Sequence, residues 1–454
     1  MKRLVVIACV GLAAAGLFAH LSAAAFTGST AIPSNAVTVD KLANYFSVTP
    51  LDTTVASGNV DSLSLDFGMV ASARTFASVF RLTNVSGATR TATLSLTNVP
   101  QISSIGSTSI TLAAGGSTTV SITTSSTVAG RGVGTLRLGL SGVSWLYRDY
   151  SVRIDEAPEA PGAPTALQKP AGRLDLAWTA SSTVTNLAGY DVYRSSGGAY
   201  TKLNATPLSA LTYSDTATTD GTTYTYKVHA VSSGTPVLDS LDSATVTATA
   251  DATAPGTPSS LVLANGGGNG NAFVNAGNAG GLSVSVSLPA GSVTTDVVEL
   301  TVSSGGNSVV ATHAGSAGAG TITFTGLNVA GLGDGGLTLS AMSTDLAGNV
   351  SGSGTASVTK DTVAPGAPTA NYTDNNNAAD QVSGSAEANA FITVTKASGP
   401  TYTTTADGAG AYSVLVATVN GKPNPSIPVI YTVTARDAAG NTSGATTLNY
   451  NDTR

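Results

Sequence analysis

The chain has 454 residues, 51 glycines, a charged fraction of only 10% and a formal net charge of −6. That length holds three to five domains, each able to bury its own core. An acidic balance with no basic run excludes nucleic acid and an anionic membrane surface as partners. Ser, Thr, Val and Ala abound while Glu, Lys, Met and Gln are scarce, so an all-β chain is expected, with glycine supplying the turns.

Residues 1–25 read as a signal peptide. "MKR" is a basic start, Leu4 to Phe18 is apolar but short for a membrane span, and Ala23 to Ala25 offer small residues for cleavage before Phe26. The protein is therefore expected to be extracellular, secreted or loosely surface-associated, with no integral membrane segment in the mature chain. Cys9 lies inside this segment and is the only cysteine. Without disulfides the domains must be held by packing, which calls for modules of about 100 residues. Residues 26–60 read as an N-terminal extension.

The first module is placed at residues 61–155. "SLDFGMV", "FRLTNVSG", "TLAAGGSTTVSI" and "GTLRLGL" alternate apolar and polar around a glycine turn. The pattern resembles bacterial Ig-like modules of the abnormal-spindle and hydin group, with Ala114 where their turn has proline. In "SWLYRDYSVRI" Tyr150, Val152 and Ile154 share one face, leaving Trp145, Tyr147 and Arg153 on the other. Exposed aromatics of this kind stack on sugar rings, so the three are candidate glycan-binding residues. The alternative is that Trp145 packs under a loop or against its neighbour.

The second module spans residues 160–250. "RLDLAWTAS" puts Leu174, Leu176 and Trp178 on one face, and "TYTYKVHAV" does the same for Tyr224, Tyr226, Val228 and Ala230. With "GYDVYR" between them, the spacing resembles a fibronectin type III domain. That resemblance implies a structural role for Trp178 as the core tryptophan and for Tyr224 as the corner tyrosine whose hydroxyl bonds back to the backbone.

The third and fourth modules, 256–360 and 361–454, share "STDLAGNVSG" at 343–352 and "ARDAAGNTSG" at 435–444. The fourth adds "VSGSAEANAFITV" and resembles bacterial Ig-like adhesin and stalk repeats. The third opens on "NGGGNGNAFVNAGNAGG", which reads as loop. Asp251 and Asp361 lie at module starts and Asp345 and Asp437 in the end turns. They are either calcium ligands or Asp residues closing turns through their own side chains. Calcium is the one candidate cofactor.

"APGAPTA" at 160–166 recurs unchanged at 364–370, with "APGTPSS" at 254–260. Proline cannot donate to a strand ladder, so each copy reads as a joint that keeps adjacent sandwiches from merging. The third joint is expected to gain support from Asp361 and the end turn of the upstream module, and the first to bend more.

For chemistry the sequence offers little. His229 alternates outward on a strand, His313 sits in the loop-like "VVATHAGSAGAG", and no nucleophile elbow, phosphate loop or paired-His motif occurs. The fold expected is four tandem immunoglobulin-like and fibronectin type III β-sandwiches after a signal peptide. The function expected is a non-catalytic structural or adhesion protein, a rod-like scaffold or spacer whose partners are cell-wall or extracellular glycans or surface proteins. The alternative is a carbohydrate-binding accessory protein of an extracellular polysaccharide-degrading system.

Overall fold

The computed structural model describes residues 40–375, 378–417 and 428–450, so the expected signal peptide lies outside the described residues. Strands dominate, and the apolar residues sort into four separate cores, one for each expected module. Two compact units emerge, residues 1–167 with 173–250 and residues 168–172 with 251–454.

In the first unit the opening sandwich packs a six-stranded sheet on a four-stranded one. Its middle strand, Tyr147–Glu156, runs antiparallel to Gly130–Leu140 and parallel to Ser64–Val70. Tyr150, Val152 and Ile154 point into the core as the alternation predicts, and the Tyr150 hydroxyl donates to Val60 O at 2.6 Å. Burial pushes that phenol's pKa up.

The expected extension is corrected here. Phe46–Pro50 pairs antiparallel with Thr75–Asn84, and Leu42, Phe46, Val48 and Val55 are buried in the same core. The sandwich thus begins near residue 40. Phe46 and Val48 alternate over only one short strand, too brief a period to mark it from sequence.

The second sandwich of this unit has sheets of three and four strands. Leu174, Leu176, Trp178, Tyr226 and Val228 fill its core, and Trp178 meets Tyr190 edge-on with centroids 5.9 Å apart. Arg194 also turns inward, bonding Asp215 at 2.9 Å, and Tyr226 donates to the same carboxylate at 2.8 Å. A buried ion pair is tolerable only when its remaining lone pairs are met, as they are here.

The second unit holds two further sandwiches, with sheets of three and five strands and of three and four. The third core is almost wholly aliphatic, with Val284, Val286, Leu300 and Leu339 fully or nearly fully buried. The glycine-rich opening is not simply loop. Phe273–Val274 pairs parallel with Gly354–Lys360, and Val274 and Ala279 are core residues. Gly268 and Gly270 take positive φ, which lets the chain turn tightly enough to bring Val274 inward.

His313 likewise lies in a strand, Asn307–Ala314, which forms a tight hairpin with Val297–Ser304. The Gly-Gly turn at 305–306 escaped notice because both strands are half polar. In the fourth core Tyr431, Val433 and Ala435 are fully buried, with Tyr372 stacked on Tyr431. No helix among the described residues is long and apolar enough to cross a membrane.

Candidate functional site

Within each unit, polar side chains concentrate where one sandwich meets the next. In the first unit, Glu159 follows the strand that ends at Glu156. Its carboxylate accepts from Ala73 N at 2.5 Å, its amide donates to Thr183 Oγ1 at 2.9 Å, and Ser181 Oγ donates to its carbonyl at 2.7 Å. Loop 126–129 completes the contact. Thr127 O accepts from the Val184 and Thr185 amides, Asn186 Nδ2 donates to Ala129 O at 2.8 Å, and Val128 bridges Thr185 in parallel. The first joint, expected to bend, is therefore tied by backbone pairing.

Just upstream, the Glu156 side chain is fully buried. Thr124 Oγ1 donates to one carboxyl oxygen at 3.2 Å, while the other has no partner. Burial, with Glu159 nearby, pushes this carboxyl's pKa up to about 8.

The second unit uses another device, twice. In the turn Asp437–Asn441 the Asp437 carboxylate accepts from the Asn441 amide at 2.8 Å and from Asn441 Nδ2 at 2.8 Å. Asn441 Nδ2 also donates to Asp361 O at 2.9 Å, and its Oδ1 accepts from Ala276 N at 3.0 Å. One asparagine therefore holds its own turn, the linker and the preceding sandwich. Asn349 repeats the turn and its hold on the linker, joined to Asp345 at 2.8 and 2.9 Å and to Asp251 O at 3.0 Å. Gly348 and Gly440 have φ of +89° and +95°, which a side chain would strain.

The four candidate calcium residues are thus brought together in pairs, Asp251 with Asp345 and Asp361 with Asp437, but through an asparagine amide. Asp251 and Asp361 contribute backbone carbonyls, and their carboxylates close turns onto Thr253 N and Val363 N, both at 3.1 Å. An N–H group stands between carbonyl and carboxylate, where a cation would need oxygen. No group of three or more His, Cys, Asp or Glu arranged to hold a metal occurs among the described residues. The turn Asp was legible in sequence. Asn349 and Asn441 were missed, although the motif repeated around both of them.

Of the candidate glycan residues, Trp145 and Tyr147 are 47% and 41% exposed. The Arg137 guanidinium covers Tyr147 at 3.8 Å from the ring centroid and pairs with Asp149 at 2.7 Å. That contact holds the Asp149 carboxyl below its usual range. One face of Tyr147 is therefore already taken. Arg153 shares the sheet face but stands six residues along the strand, about 20 Å away, paired with Asp66 at 3.2 Å and Asp155 at 2.8 Å. The structure does not bring Arg153 to the two aromatics.

Trp178 is 6% exposed, and its indole N–H has no partner. The Tyr224 hydroxyl accepts from Thr219 N at 2.9 Å, a contact back to the backbone five residues upstream. His229 is on the outward face yet mostly covered, its ring 4.6 Å from Tyr193 and its Nε2 against Asp242.

Residues 364–452 match the family model of the bacterial Ig domain. Two curated relatives are each 35% identical over a single stretch. One is an amylopullulanase of Thermoanaerobacterium saccharolyticum, matched over 94 residues, 19% of this chain and 7% of that protein. The other is chitinase 63 of Streptomyces plicatus, matched over 99 residues, 22% of this chain and 15% of that protein. The chain thus spans a small fraction of the curated relatives it matches. A solved tetra-tandem repeat from the extending region of a large adhesion protein is 20% identical, covering 89% of this chain and 98% of its own, with a TM-score of 0.22. Residues 364–452 are thus a bacterial Ig domain by sequence, the last of four tandem β-sandwiches in an all-β chain.

Proposed function

We propose that this is a non-catalytic structural protein of the cell exterior that works as a spacer and adhesin. The observation that supports this most is the investment in joints. Each unit closes the junction between two sandwiches with side-chain clasps on short proline-bearing linkers, which suits a chain that holds its modules in register. Retention of the fluorescently labelled chain on intact cells and on purified wall polymers tests the reading. Saturable retention is expected. Free passage over both, or turnover of those polymers, contradicts it.

A second reading is favoured by the curated relatives, both named as polysaccharide-active enzymes, with which the chain shares one stretch about the size of a module. As an accessory protein it would bind insoluble polysaccharide instead of cells. Depletion of the chain from solution by insoluble starch or chitin, without retention on cells, would select that reading.

A further inference from the structure

The fibronectin type III module carries a groove of mixed apolar and polar lining on the outward face of its four-stranded sheet. Its volume is about 560 Å³, and its lining includes Asp191, Tyr193, Lys202, Pro207, Val237 and Asp239. That volume lies within the range of small-molecule sites, roughly 300–1,000 Å³. The floor comes from the strand Leu187–Ser195, which is paired through its length with Thr223–Ser232 and is therefore rigid. Loop residues 237–239, tied back by the Val231–Asp239 bridge, form one wall.

The floor is built with care. Asp191 is only 3% exposed although it faces outward. Its carboxylate accepts from Lys202 Nζ at 2.5 Å and from Asn204 Nδ2 at 2.9 Å, and Asn204 is itself fixed by Tyr190 O, Thr206 O and Val192 N. Beside it the Tyr193 ring is braced by His229 at 4.6 Å, which Asp242 holds together with Lys227. Burial, then the Asp239 and Asp191 carboxylates, push the Tyr193 phenol's pKa up, so its hydroxyl stays a neutral donor.

The opposite wall differs. Neither the Tyr193 hydroxyl nor the Asp239 carboxylate has a hydrogen-bond partner among the described residues, and Val237 beside them is 66% exposed. Satisfied groups thus fix the shape, while unsatisfied ones face the groove next to an aromatic ring and apolar carbons.

We infer that this groove is a subsite for a neutral saccharide. A sugar ring is amphiphilic in the way the groove is, with C–H faces for Tyr193, Val237 and Pro207 and vicinal hydroxyls that donate to Asp239 and accept from Lys202 and Tyr193. A charged ligand fits less well, since Asp191 and Lys202 already neutralise each other and leave one carboxylate. The inference supplies a ligand class for the adhesion reading. Failure of cell retention with sugar binding intact would sink that reading alone.

Calorimetric titration of the intact chain with maltohexaose, cellohexaose and chitohexaose tests it. At least one should bind. Tyr193→Ala should abolish binding and Asp239→Asn weaken it at least tenfold without moving the melting temperature, because the Asp239 side chain is exposed and its carboxylate makes no internal bond, while its backbone bridge is kept in the variant. Tyr193→Phe, keeping the ring, should lose less than Tyr193→Ala. Trp145→Ala and Tyr147→Ala should leave binding unchanged. No heat with any of the three, binding that survives Asp239→Asn undiminished, or loss of binding in Trp145→Ala would each overturn the inference.

Discussion

The same seven residues, Ala-Pro-Gly-Ala-Pro-Thr-Ala, lead into the second sandwich at 160–166 and into the fourth at 364–370, yet the two joints are closed by different chemistry. In the first unit, Glu159 and the loop 181–186 bond to residues 73 and 126–129 through several contacts, two of them backbone amides on Thr127 O. In the second unit asparagine side chains do this work: the Asn441 amide group reaches Asp361 O, Asp437 and Ala276 N together, and Asn275 Nδ2 donates to Ala439 O at 2.9 Å from the other side. Identical linkers thus meet unlike locks, each built from the loops around the proline phrase. The first lock leans on backbone pairing, and the second on asparagine side chains.

The largest way to break the first joint is to melt the sandwich that supplies half of it. Trp178→Ala removes a buried aromatic and should cost about 3–5 kcal/mol. Calorimetry should show the fibronectin type III transition shifted and the fourth sandwich unaffected. A loss below about 1 kcal/mol would place Trp178 outside the core.

Next in size is a pH effect confined to the first unit. The Glu156 carboxyl titrates near its ordinary 4.5 when unfolded and at about 8 when folded. Between those values the folded state holds a proton that the unfolded state has released, so stability falls as pH rises through that window. Chemical denaturation at several pH values should show the slope in the first unit, and Glu156→Gln should flatten it. An unchanged slope in the variant would remove Glu156 from the account.

The contrast between side-chain and backbone locks is sharpened by a pair of substitutions. Asn441→Ala removes its bonds to the Ala276 amide, the Asp361 carbonyl and Asp437 together and should cost about 1–3 kcal/mol, each net bond being worth about 0.5–1.5 kcal/mol. Asn186→Ala in the first joint removes one bond of several and should cost about 0.5–1 kcal/mol. Equal costs would mean that the two locks do not differ in kind.

The smallest expected effect concerns calcium. We propose that Asp345 and Asp437 serve the asparagine clasp, so exchanging calcium for a chelator should leave the melting of the third and fourth sandwiches unmoved. A rise in melting temperature with calcium would show that a cation displaces the amide.

Much of the fold was legible because strand alternation is local. Leu174, Leu176, Tyr224 and Tyr226 point where their period of two places them, and Tyr150, Val152 and Ile154 do as well. Residues 40–60 and Phe273–Val274 were not, since each contributes a short strand whose apolar residues gain meaning only from a distant partner, Thr75–Asn84 or Gly354–Lys360. The joints were half legible. The repeated Asp-x-Ala-Gly-Asn announced a turn, but that Asn441 reaches Ala276, 165 residues earlier, is set by tertiary packing. The expectation that the upstream module's end turn meets Asp361 is corrected on the same ground, because Asn441 belongs to the downstream module. The groove over Tyr193 left no sequence trace, since its lining comes from strands and two loops brought together only by the fold.

Native-state hydrogen exchange at the Ala276 amide tests the central claim most directly. Ala276 is exposed and its amide is bonded to Asn441 Oδ1, so its protection reports on the clasp. The account predicts that protection is lost in Asn441→Ala and kept when Pro365 and Pro368 are both replaced by serine. Protection that survives Asn441→Ala but vanishes in the proline variant would show that the linker, and not the loop, fastens the joint.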